Sequence, residues 1–289
     1  MKIVITGGKG MLGRTLQRVL ADDELVIADL PEWDITNAAD FNAKLAAVAA
    51  DAVIHCAAMT AVDRCESEVD LAYQLNAVGS GNVAAACQRN GVRLIAISTD
   101  YVFGGDLNRP YHEFDVAGGA HTVYGLSKFA GEMLVRQHCP NHVICRIAWL
   151  YGPGGPSFVH TMLKLADNSR PVLKVVNDQY GNPTSTFAVA RMIGKILKRP
   201  EQVGTFHLTC EGEANWFDFA AEIFRLTGKQ QAIEPCSSLE FPRPAPRPMN
   251  SRLEKRMLRL CGLPNMPDWH EALVEFLAGA GTGTGDCKL

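Results

Sequence analysis

The chain of 289 residues is long enough for one large or two modest domains with a sizeable core, at roughly 150 residues per domain. Its 28 Lys and Arg against 31 Asp and Glu give a formal net charge of −3, which disfavours binding to nucleic acid or to a membrane surface. No apolar run reaches the ~18–20 residues of a spanning helix, and no signal peptide is recognisable, so a cytoplasmic protein is expected. The nine cysteines are irregularly spaced, which predicts free thiols and no metal site.

The first 150 residues alternate short apolar runs with amphipathic stretches. Strands are predicted over Ile3–Thr6, Leu25–Ala28, Asp51–Cys56, Leu94–Ser98 and Val143–Leu150. Helices are predicted around Leu12–Leu20 and over Ala38–Ala50, Leu71–Asn90 and Tyr124–His138. Strands that are apolar throughout and alternate with helices pair in parallel, with both sheet faces covered. The expected fold class is therefore α/β, a doubly wound parallel sheet of the Rossmann type.

Beyond residue 150 the alternation of strands and helices becomes less regular, beginning at a Gly/Pro segment. Helices are predicted over Val159–Asn168, Ser185–Lys198 and Trp216–Thr227, with a strand at Thr205–Thr209 and a proline-locked loop at Phe241–Pro248. Residues 151–278 are therefore expected to form mainly a smaller substrate-binding domain, with about 177–200 returning to the domain of residues 1–150. Gly and Thr alternate in 279–289, which predicts a flexible tail.

Glycines recur at the first strand-to-helix turn, in the run from Gly7 to Gly13. Glycines at 7, 10 and 13 allow a tight turn and let backbone amides approach a pyrophosphate at the helix N-terminus. An ordinary tight turn could show the same glycines, but Asp29 at the end of the second strand favours dinucleotide binding by residues 1–150. Asp29 would bind the adenosine ribose and favour NADH, whereas Lys9 could pair with a 2′-phosphate, so NADPH and NADH both stay open.

Tyr124 and Lys128 lie four residues apart at the start of a predicted helix, so they share one face. Strand Leu94–Ser98 leads into Thr99, at the sheet edge where open α/β sheets bind ligands. Reducing a ketone requires a proton donor, and a nearby ammonium is expected to lower the pKa of a tyrosine from its usual ~10. A solvated helix pair has the same spacing, but the glycine loop and Thr99 favour a catalytic set of Thr99, Tyr124 and Lys128.

Several longer strings extend these motifs over most of the chain. They are Trp33–Thr36, Ala57–Asp63, Ser98–Phe103, Val123–Lys128, Arg146–Gly152, Asn177–Thr184 and Arg247–Ser251. Together with the glycine loop they resemble the extended short-chain dehydrogenase/reductase (NAD-dependent epimerase/dehydratase-like) superfamily. Within it they resemble the dTDP-4-dehydrorhamnose reductase family, for which the strings at 99–103 and 177–184 are the most specific.

The resemblance implies NAD(P)H-dependent reduction of the C4 keto group of a nucleotide-linked 4-keto-6-deoxysugar, in the biosynthesis of dTDP-L-rhamnose or a related deoxysugar, by a monomer or homodimer. It implies cofactor contacts from Gly7, Lys9, Gly10, Met11, Leu12, Gly13, Asp29, Asp34, Ile35, Ala57, Ala58, Met59, Tyr124 and Lys128. It implies substrate contacts from Thr99, Asp100, Trp149, Gln179 and Arg247. For Trp149 the alternative is a place in the core of a strand.

Two departures from the family pattern bear on substrate and assembly. The lead-in Gly118–Val123 replaces a Pro-Leu-Asn-like segment, which leaves the exact sugar open. Thr15 stands where some members carry a glutamate that helps bind a metal at a dimer interface, so a metal-bridged dimer is not expected.

Two other functions remain as alternatives. A nucleotide-sugar epimerase or dehydratase would share the fold, but dehydratases tend to carry an acidic residue where this chain has Tyr101, which favours simple reduction. A non-catalytic, cofactor-binding subunit similar to the methionine adenosyltransferase beta subunit would not need the intact set of Thr99, Tyr124 and Lys128.

Overall fold

The structure is a computed structural model that describes residues 1–166 and 171–281. In the first half the strands are β1 Lys2–Thr6, β2 Glu24–Ala28, β3 Ala52–His55, β4 Arg93–Thr99 and β5 His142–Ile147. The helices are α1 Met11–Val19, α2 Ala38–Val48, α3 Val62–Ser67, α4 Val69–Tyr73, α5 Ser80–Arg89 and α6 Val123–His138. A π-helical turn, Gln74–Gly79, joins α4 to α5, and a 3₁₀ turn, Asp100–Val102, follows β4.

The second half has shorter strands. They are β6 Leu150–Tyr151, β7 Leu173–Val176, β8 Tyr180–Gly181, β9 Thr184–Ser185, β10 Gly204–His207, β11 Ala214–Asn215 and β12 Ile233–Cys236. Its helices are α7 Phe158–Ala166, α8 Thr186–Leu197, α9 Trp216–Thr227, α10 Arg256–Leu260 and α11 Trp269–Gly281, and a 3₁₀ turn covers Ser238–Glu240. Within the described ranges, none of the helices is both long and apolar enough to cross a membrane.

One six-stranded sheet organises the molecule, in the order β10-β5-β4-β3-β1-β2 with every pair parallel. Helices α1 and α8 pack together against one side, while α2, α5 and α6 form the neighbouring layer on the other. Strands β1 and β3 are almost entirely buried because both of their faces are covered. The predicted doubly wound parallel sheet is confirmed, and its last strand, β10, comes from beyond residue 150.

Local sequence signals mark several helix boundaries correctly. Asn37 caps α2 by accepting a hydrogen bond from the amide of Asp40 at 3.2 Å, and asparagine is a preferred residue at this position. Helix α9 has the predicted bounds, because Asn215 caps its start and Gly228 ends it in the left-handed region at φ 67°.

Two predicted elements differ from the structure. The helix expected over Leu71–Asn90 begins at Val69 and is interrupted by the π-helical turn, which a hydrophobic repeat does not encode. The strand expected over Val143–Leu150 ends at Ile147, because Trp149 adopts φ 47° and breaks the extended backbone. Residue Leu150 instead starts β6, which pairs with β9.

Helix α11 runs to Gly281 and so enters the segment expected to be a flexible tail. Residues 282–289 of that expected tail lie outside the described residues, as does residue 168, the expected end of the helix at α7.

Residue Thr15, on α1, is buried and donates its hydroxyl to Thr186 on α8 at 2.9 Å.

Candidate active site

The glycine loop between β1 and α1 is shaped by close backbone approaches. Gly7 has φ 67°, and a Cβ added there would lie 2.6 Å from the amide nitrogen of Ala57. A Cβ on Gly13 would lie 2.4 Å from the carbonyl oxygen of Gly7. Gly10 caps α1 without a side-chain hydrogen bond, so the first amides of the helix are left for an anionic group. The loop therefore fits the pyrophosphate of a dinucleotide.

We expect Gly13→Ala to weaken this loop, since the added methyl group would collide with backbone that has no room to move. Overpacking of this kind costs about 1–3 kcal/mol of folding free energy. Urea unfolding should show that loss, and fluorescence titration should show weaker NADPH binding. In the matched control Gly119→Ala the nearest atom is 3.6 Å away, so both quantities should stay unchanged. NADPH binding by Gly13→Ala at full affinity would contradict the assignment.

A cavity of about 620 Å³ opens at the carboxyl edge of the sheet and is called here the main cavity. Its volume is within the range usual for cofactor and ligand sites. The site residues predicted from sequence that line it are Gly7, Lys9, Gly10, Met11, Leu12, Gly13, Asp29, Asp34, Ile35, Ala57, Ala58, Thr99, Asp100, Tyr124, Lys128 and Trp149. The glycine loop and the Tyr124–Lys128 helix thus face one continuous space.

The end of the main cavity near β2 carries the charges suited to an adenosine ribose. Asp29 follows β2 and accepts a hydrogen bond from the amide of Lys9 at 2.7 Å. The ammonium of Lys9 donates to the carbonyl of the residue after Asp29, Leu30, at 3.2 Å. The carboxylate of Asp34 accepts from the amide and hydroxyl of Thr36 at 2.8 and 2.7 Å, which holds this wall in place.

The opposite end of the main cavity brings together Thr99, Tyr124 and Lys128. Thr99 ends β4, while Tyr124 and Lys128 lie in the first two turns of α6. The Lys128 Nζ donates to the carbonyl oxygen of Ile97 at 2.8 Å, so the helix start is tied to the end of β4. A Cβ on Gly125 would lie 2.2 Å from the Tyr101 carbonyl oxygen, so only glycine allows this approach.

Burial controls the protonation of Lys128 and Tyr124 at this end of the main cavity. It lowers the pKa of Lys128 to about 8, and the carboxylate of Glu132 opposes that change. It raises the pKa of Tyr124 above its ordinary value, against the effect of the neighbouring Thr99 hydroxyl. The expectation that the ammonium lowers the pKa of Tyr124 is therefore wrong for this arrangement, because burial dominates. Tyr124 consequently keeps its proton at neutral pH and is suited to donate it.

Asp100 presents an unsatisfied carboxylate oxygen beside this set. It is 5% exposed and its Oδ1 accepts a hydrogen bond from the Thr99 hydroxyl at 3.0 Å. Its Oδ2 is buried and makes no hydrogen bond of ordinary geometry among the described residues, although the nearby Ser251 hydroxyl lowers the pKa of Asp100. Burial raises the pKa of Asp100 to about 6. A buried, unpartnered acceptor in a cavity wall is suited to a polar group of a ligand.

Trp149 forms the wall of the main cavity beyond Ile147. It lies outside any strand, so that part of the alternative is wrong, but it does pack against the hydrophobic core. Its ring stacks on that of Trp216, with centroids 3.4 Å apart and planes 6° from parallel. Gly181 makes this placement possible, because a Cβ there would lie 2.3 Å from the Trp149 indole. The Trp216 Nε1 donates to Gln179 Oε1 at 3.0 Å, which fixes the pair.

Three predicted residues lie away from the main-cavity wall. Gln179 is 8% exposed and holds Trp216 and Ser238 with its amide. Met59 is buried, and its amide and carbonyl bond the side chain of Asn76 at 2.8 and 3.1 Å. Arg247 lines a second cavity of about 140 Å³, which shares Tyr101 with the main cavity.

Arg247 is engaged by a residue whose role the sequence did not indicate. Its Nη1 and Nη2 donate to the two carboxylate oxygens of Asp63 at 2.9 and 2.8 Å. The ion pair links α3 to the proline-rich loop, and it lowers the pKa of Asp63. The string Ala57–Asp63 contained this aspartate, but nothing along the chain pairs it with an arginine 184 positions later.

Sequence reasoning also missed Ser98 and Tyr101 as residues of the main cavity, although both flank the predicted Thr99 and Asp100 at the strand end. The rule that ligands bind at the carboxyl ends of parallel strands could have included them. Asn76 was missed for a different reason: its contact with Met59 depends on the π-helical turn. Among residues 1–166 and 171–281, no cluster of three or more His, Cys, Asp or Glu is arranged to hold a metal ion.

The parallel sheet, the glycine loop at its first turn and the neighbouring main cavity define a Rossmann-type protein of the extended short-chain dehydrogenase/reductase class. The family model described as the RmlD substrate binding domain matches residues 1–281. The chain therefore belongs to that family.

Known proteins resemble the chain over nearly its whole length. A dTDP-4-dehydrorhamnose reductase of Streptomyces griseus is 40% identical, with 94% of this chain and 91% of that protein covered. A crystal structure of such a reductase from Clostridium acetobutylicum is 45% identical with a TM-score of 0.93, covering 96% of this chain and 99% of that one. The Bacillus anthracis reductase, crystallised in complex with NADP, is 39% identical with the same TM-score and coverage.

Proposed function

We propose that the protein is an NAD(P)H-dependent reductase of the C4 keto group of a nucleotide-linked 4-keto-6-deoxysugar, with dTDP-4-dehydrorhamnose as the first candidate. The product would be dTDP-L-rhamnose or a related deoxysugar. The observation that carries the proposal is the position of Thr99, Tyr124 and Lys128 at one end of a cavity whose other end is a glycine loop. The names of relatives about 40% identical over nearly the full length support the choice of substrate.

The bound nicotinamide would supply a hydride to the carbonyl carbon. Tyr124 would donate its proton to the carbonyl oxygen, since burial keeps the hydroxyl protonated at neutral pH. Lys128 would stabilise the tyrosinate that remains and hold the nicotinamide ribose. Thr99 would donate a hydrogen bond to the same oxygen and align it with Tyr124.

The cofactor would lie along the main cavity, with its pyrophosphate at the glycine loop and its adenosine beside Asp29, Asp34 and Ile35. Asp29 is suited to the ribose hydroxyls of NADH, whereas the ammonium of Lys9, bonded to the carbonyl of Leu30, is suited to the 2′-phosphate of NADPH. The structure therefore supports use of both coenzymes. Ala57 and Ala58 would line the nicotinamide ribose, and Met59 would act from behind them through Asn76.

The sugar would lie against Thr99, Asp100 and Trp149. Gln179 would contribute by fixing the Trp149–Trp216 stack, and Arg247 would face the nucleotide end from the second cavity. Residues beyond about 150 would thus serve mainly the substrate. We infer a cytoplasmic enzyme that acts as a monomer or homodimer, with a small-molecule substrate and with neither nucleic acid nor membrane as partner.

The test is to follow NADPH and NADH oxidation at 340 nm with dTDP-4-keto-6-deoxyhexoses that differ in configuration. One mole of coenzyme should be oxidised per mole of ketosugar, and the product should carry a new C4 hydroxyl by NMR. A conversion that leaves the coenzyme concentration unchanged would refute reduction and indicate an epimerase or dehydratase. Tight coenzyme binding without turnover of any ketosugar would also refute it.

We expect Asp100→Asn to raise KM for the ketosugar by about 10- to 100-fold, the worth of one hydrogen bond to a charged group. The amide keeps the size of the side chain, so stability should change little. Since the pKa of Asp100 is about 6, KM of the unsubstituted enzyme should rise as the pH falls below 6 and the acceptor becomes protonated. Asp22→Asn is the control and should leave KM unchanged, because Asp22 is exposed and lines neither cavity. Equal KM values for both variants would remove Asp100 from the sugar site.

A further inference from the structure

Helix α6 carries a second buried charge, Glu132, that the proposed reduction does not use. It follows Lys128 by four residues, so both side chains lie on the same face of the helix. The carboxylate of Glu132 is 3% exposed. Burial would raise the pKa of such a group, yet its cationic neighbours lower it to about 2, so Glu132 is ionised at neutral pH.

The partner of Glu132 is Arg146, which is 2% exposed on β5, between β10 and β4. Its Nε and Nη2 donate to the two carboxylate oxygens at 2.8 and 2.7 Å. Arg136 donates to the same carboxylate at 2.8 Å from the more exposed side. A buried ion pair adds little net stability over apolar residues of similar volume. Stability therefore does not by itself explain an ion pair between α6 and β5, which indicates a second role.

Lys128 lines the main cavity one helical turn before Glu132. Its Nζ is held by the Ile97 carbonyl, and the next residue of β4, Ser98, is in register with Arg146 on β5. The carboxylate of Glu132 thus stands one helical turn behind an ammonium that lines the main cavity. Their opposite charges attract strongly at this depth, because little water screens them.

Asp100, after β4, is ionised at pH 7, but the carboxylate that raises the pKa of Lys128 is that of Glu132. The titratable groups that face Lys128 from β3 and from its own helix are neutral near pH 7. On β3 and directly after it, burial lowers the pKa of His55 to about 3 and raises the pKa of Cys56 to about 12. On α6, burial keeps Tyr124 protonated. Of these groups in the described chain, Glu132 alone carries a charge that opposes the effect of burial on Lys128.

We propose that Glu132 is a positioning residue for the reduction: its buried carboxylate keeps the Lys128 ammonium charged and aligned against the end of β4, while Arg146 and Arg136 hold the carboxylate in place. The inference rests on the proposed function for its catalytic consequence. Without that carboxylate, about half or more of the Lys128 side chains would be neutral at pH 7, and a neutral amine cannot stabilise the tyrosinate left by proton transfer.

The test measures the titration of Lys128 directly, by NMR of protein labelled with ¹³Cε-lysine, with Lys128→Arg to identify the resonance. Glu132→Gln should lower the midpoint by about one pH unit or more. Arg146→Gln breaks the same ion pair but keeps the carboxylate, so its midpoint should not fall.

In the reductase assay, the pH at which kcat falls on the alkaline side should decrease by the same amount in Glu132→Gln alone, since Lys128 must be protonated. Glu132→Asp keeps a carboxylate, so its Lys128 midpoint should lie close to that of the unsubstituted protein.

A purely structural ion pair predicts the opposite pattern, with equal stability losses in both variants and no change in the Lys128 midpoint; that result would overturn the proposal. If Glu132→Gln does not fold because Arg146 is left unpaired, the double variant Glu132→Gln/Arg146→Gln removes both charges, and its midpoint should still fall. An unchanged midpoint in the double variant also overturns the proposal. The NMR titration needs no turnover, so failure to reduce any ketosugar would count against the proposed function alone.

Discussion

Replacement of Tyr124 by Phe should lower kcat by about 10²–10⁴-fold, which is the usual contribution of a general acid. The loss follows from the removal of the proton donor, while the ring that packs at the end of the main cavity remains. The coenzyme Kd and the urea midpoint should therefore stay close to those of the unsubstituted protein. Stopped-flow measurement of a single turnover would show whether the loss is in the chemical step.

The neighbouring Tyr101 provides the matched control, since its ring meets that of Tyr124 edge-on at 5.4 Å and lines the same cavity. Tyr101→Phe also removes one buried hydroxyl, but not the one that shares a helix face with Lys128. Its loss in kcat should be below about tenfold, the effect of one ordinary hydrogen bond. Similar losses in the two variants would show that Tyr124 has no special role in proton transfer.

Acid should destabilise the protein steeply below pH 6.5 because two buried histidines stay neutral when folded. Burial lowers the pKa of His55 and of His207 to about 3, from an ordinary value of 6.5. Below pH 6.5 the unfolded chain binds protons that the folded chain excludes. The stabilising contribution of the two neutral histidines is thus complete above pH 6.5 and is lost as the pH falls towards 3. Each histidine should reduce the free energy of unfolding by about 1.4 kcal/mol per pH unit within this window.

Asp100 and Glu113 act in the opposite direction, since burial raises the pKa of both and the folded state takes up their protons first. A comparison between variants separates these effects. In His207→Gln, the slope of unfolding free energy against pH between 6 and 4.5 should fall by about 1.4 kcal/mol per pH unit. Urea melts at several pH values measure the slope, and the exposed His121→Gln should leave it unchanged. A slope in His207→Gln equal to that of the control would show that His207 binds its proton in the folded state.

Periodicity and motif spacing along the chain were sufficient for the sheet, the glycine loop and the Thr99, Tyr124 and Lys128 set. These features depend on contacts that are local or that repeat regularly. A strand buried on both faces, as β1 is, must be apolar throughout, and Gly13 must lack a side chain because the turn folds back on Gly7. Such requirements are visible in a single sequence.

The remaining parts of the site arise from contacts between segments far apart in the chain. The π-helical turn that places Asn76, the positive φ of Trp149 and the pairing of Arg247 with Asp63 depend on what each segment meets after folding. The same holds for the pKa of Tyr124, since burial outweighs the charge of a lysine that is its neighbour on the helix.

The sequence by itself thus determined the fold class and the glycine turn and strand ends near which the main cavity forms, because helix and strand periods and glycine sterics act over a few positions. Only the tertiary structure decided which side chains line that cavity, which ones support it from behind and which of them are charged. Those properties depend on burial and on partners such as Glu132 and Arg146, which β-strand register and helix packing bring together from separate elements.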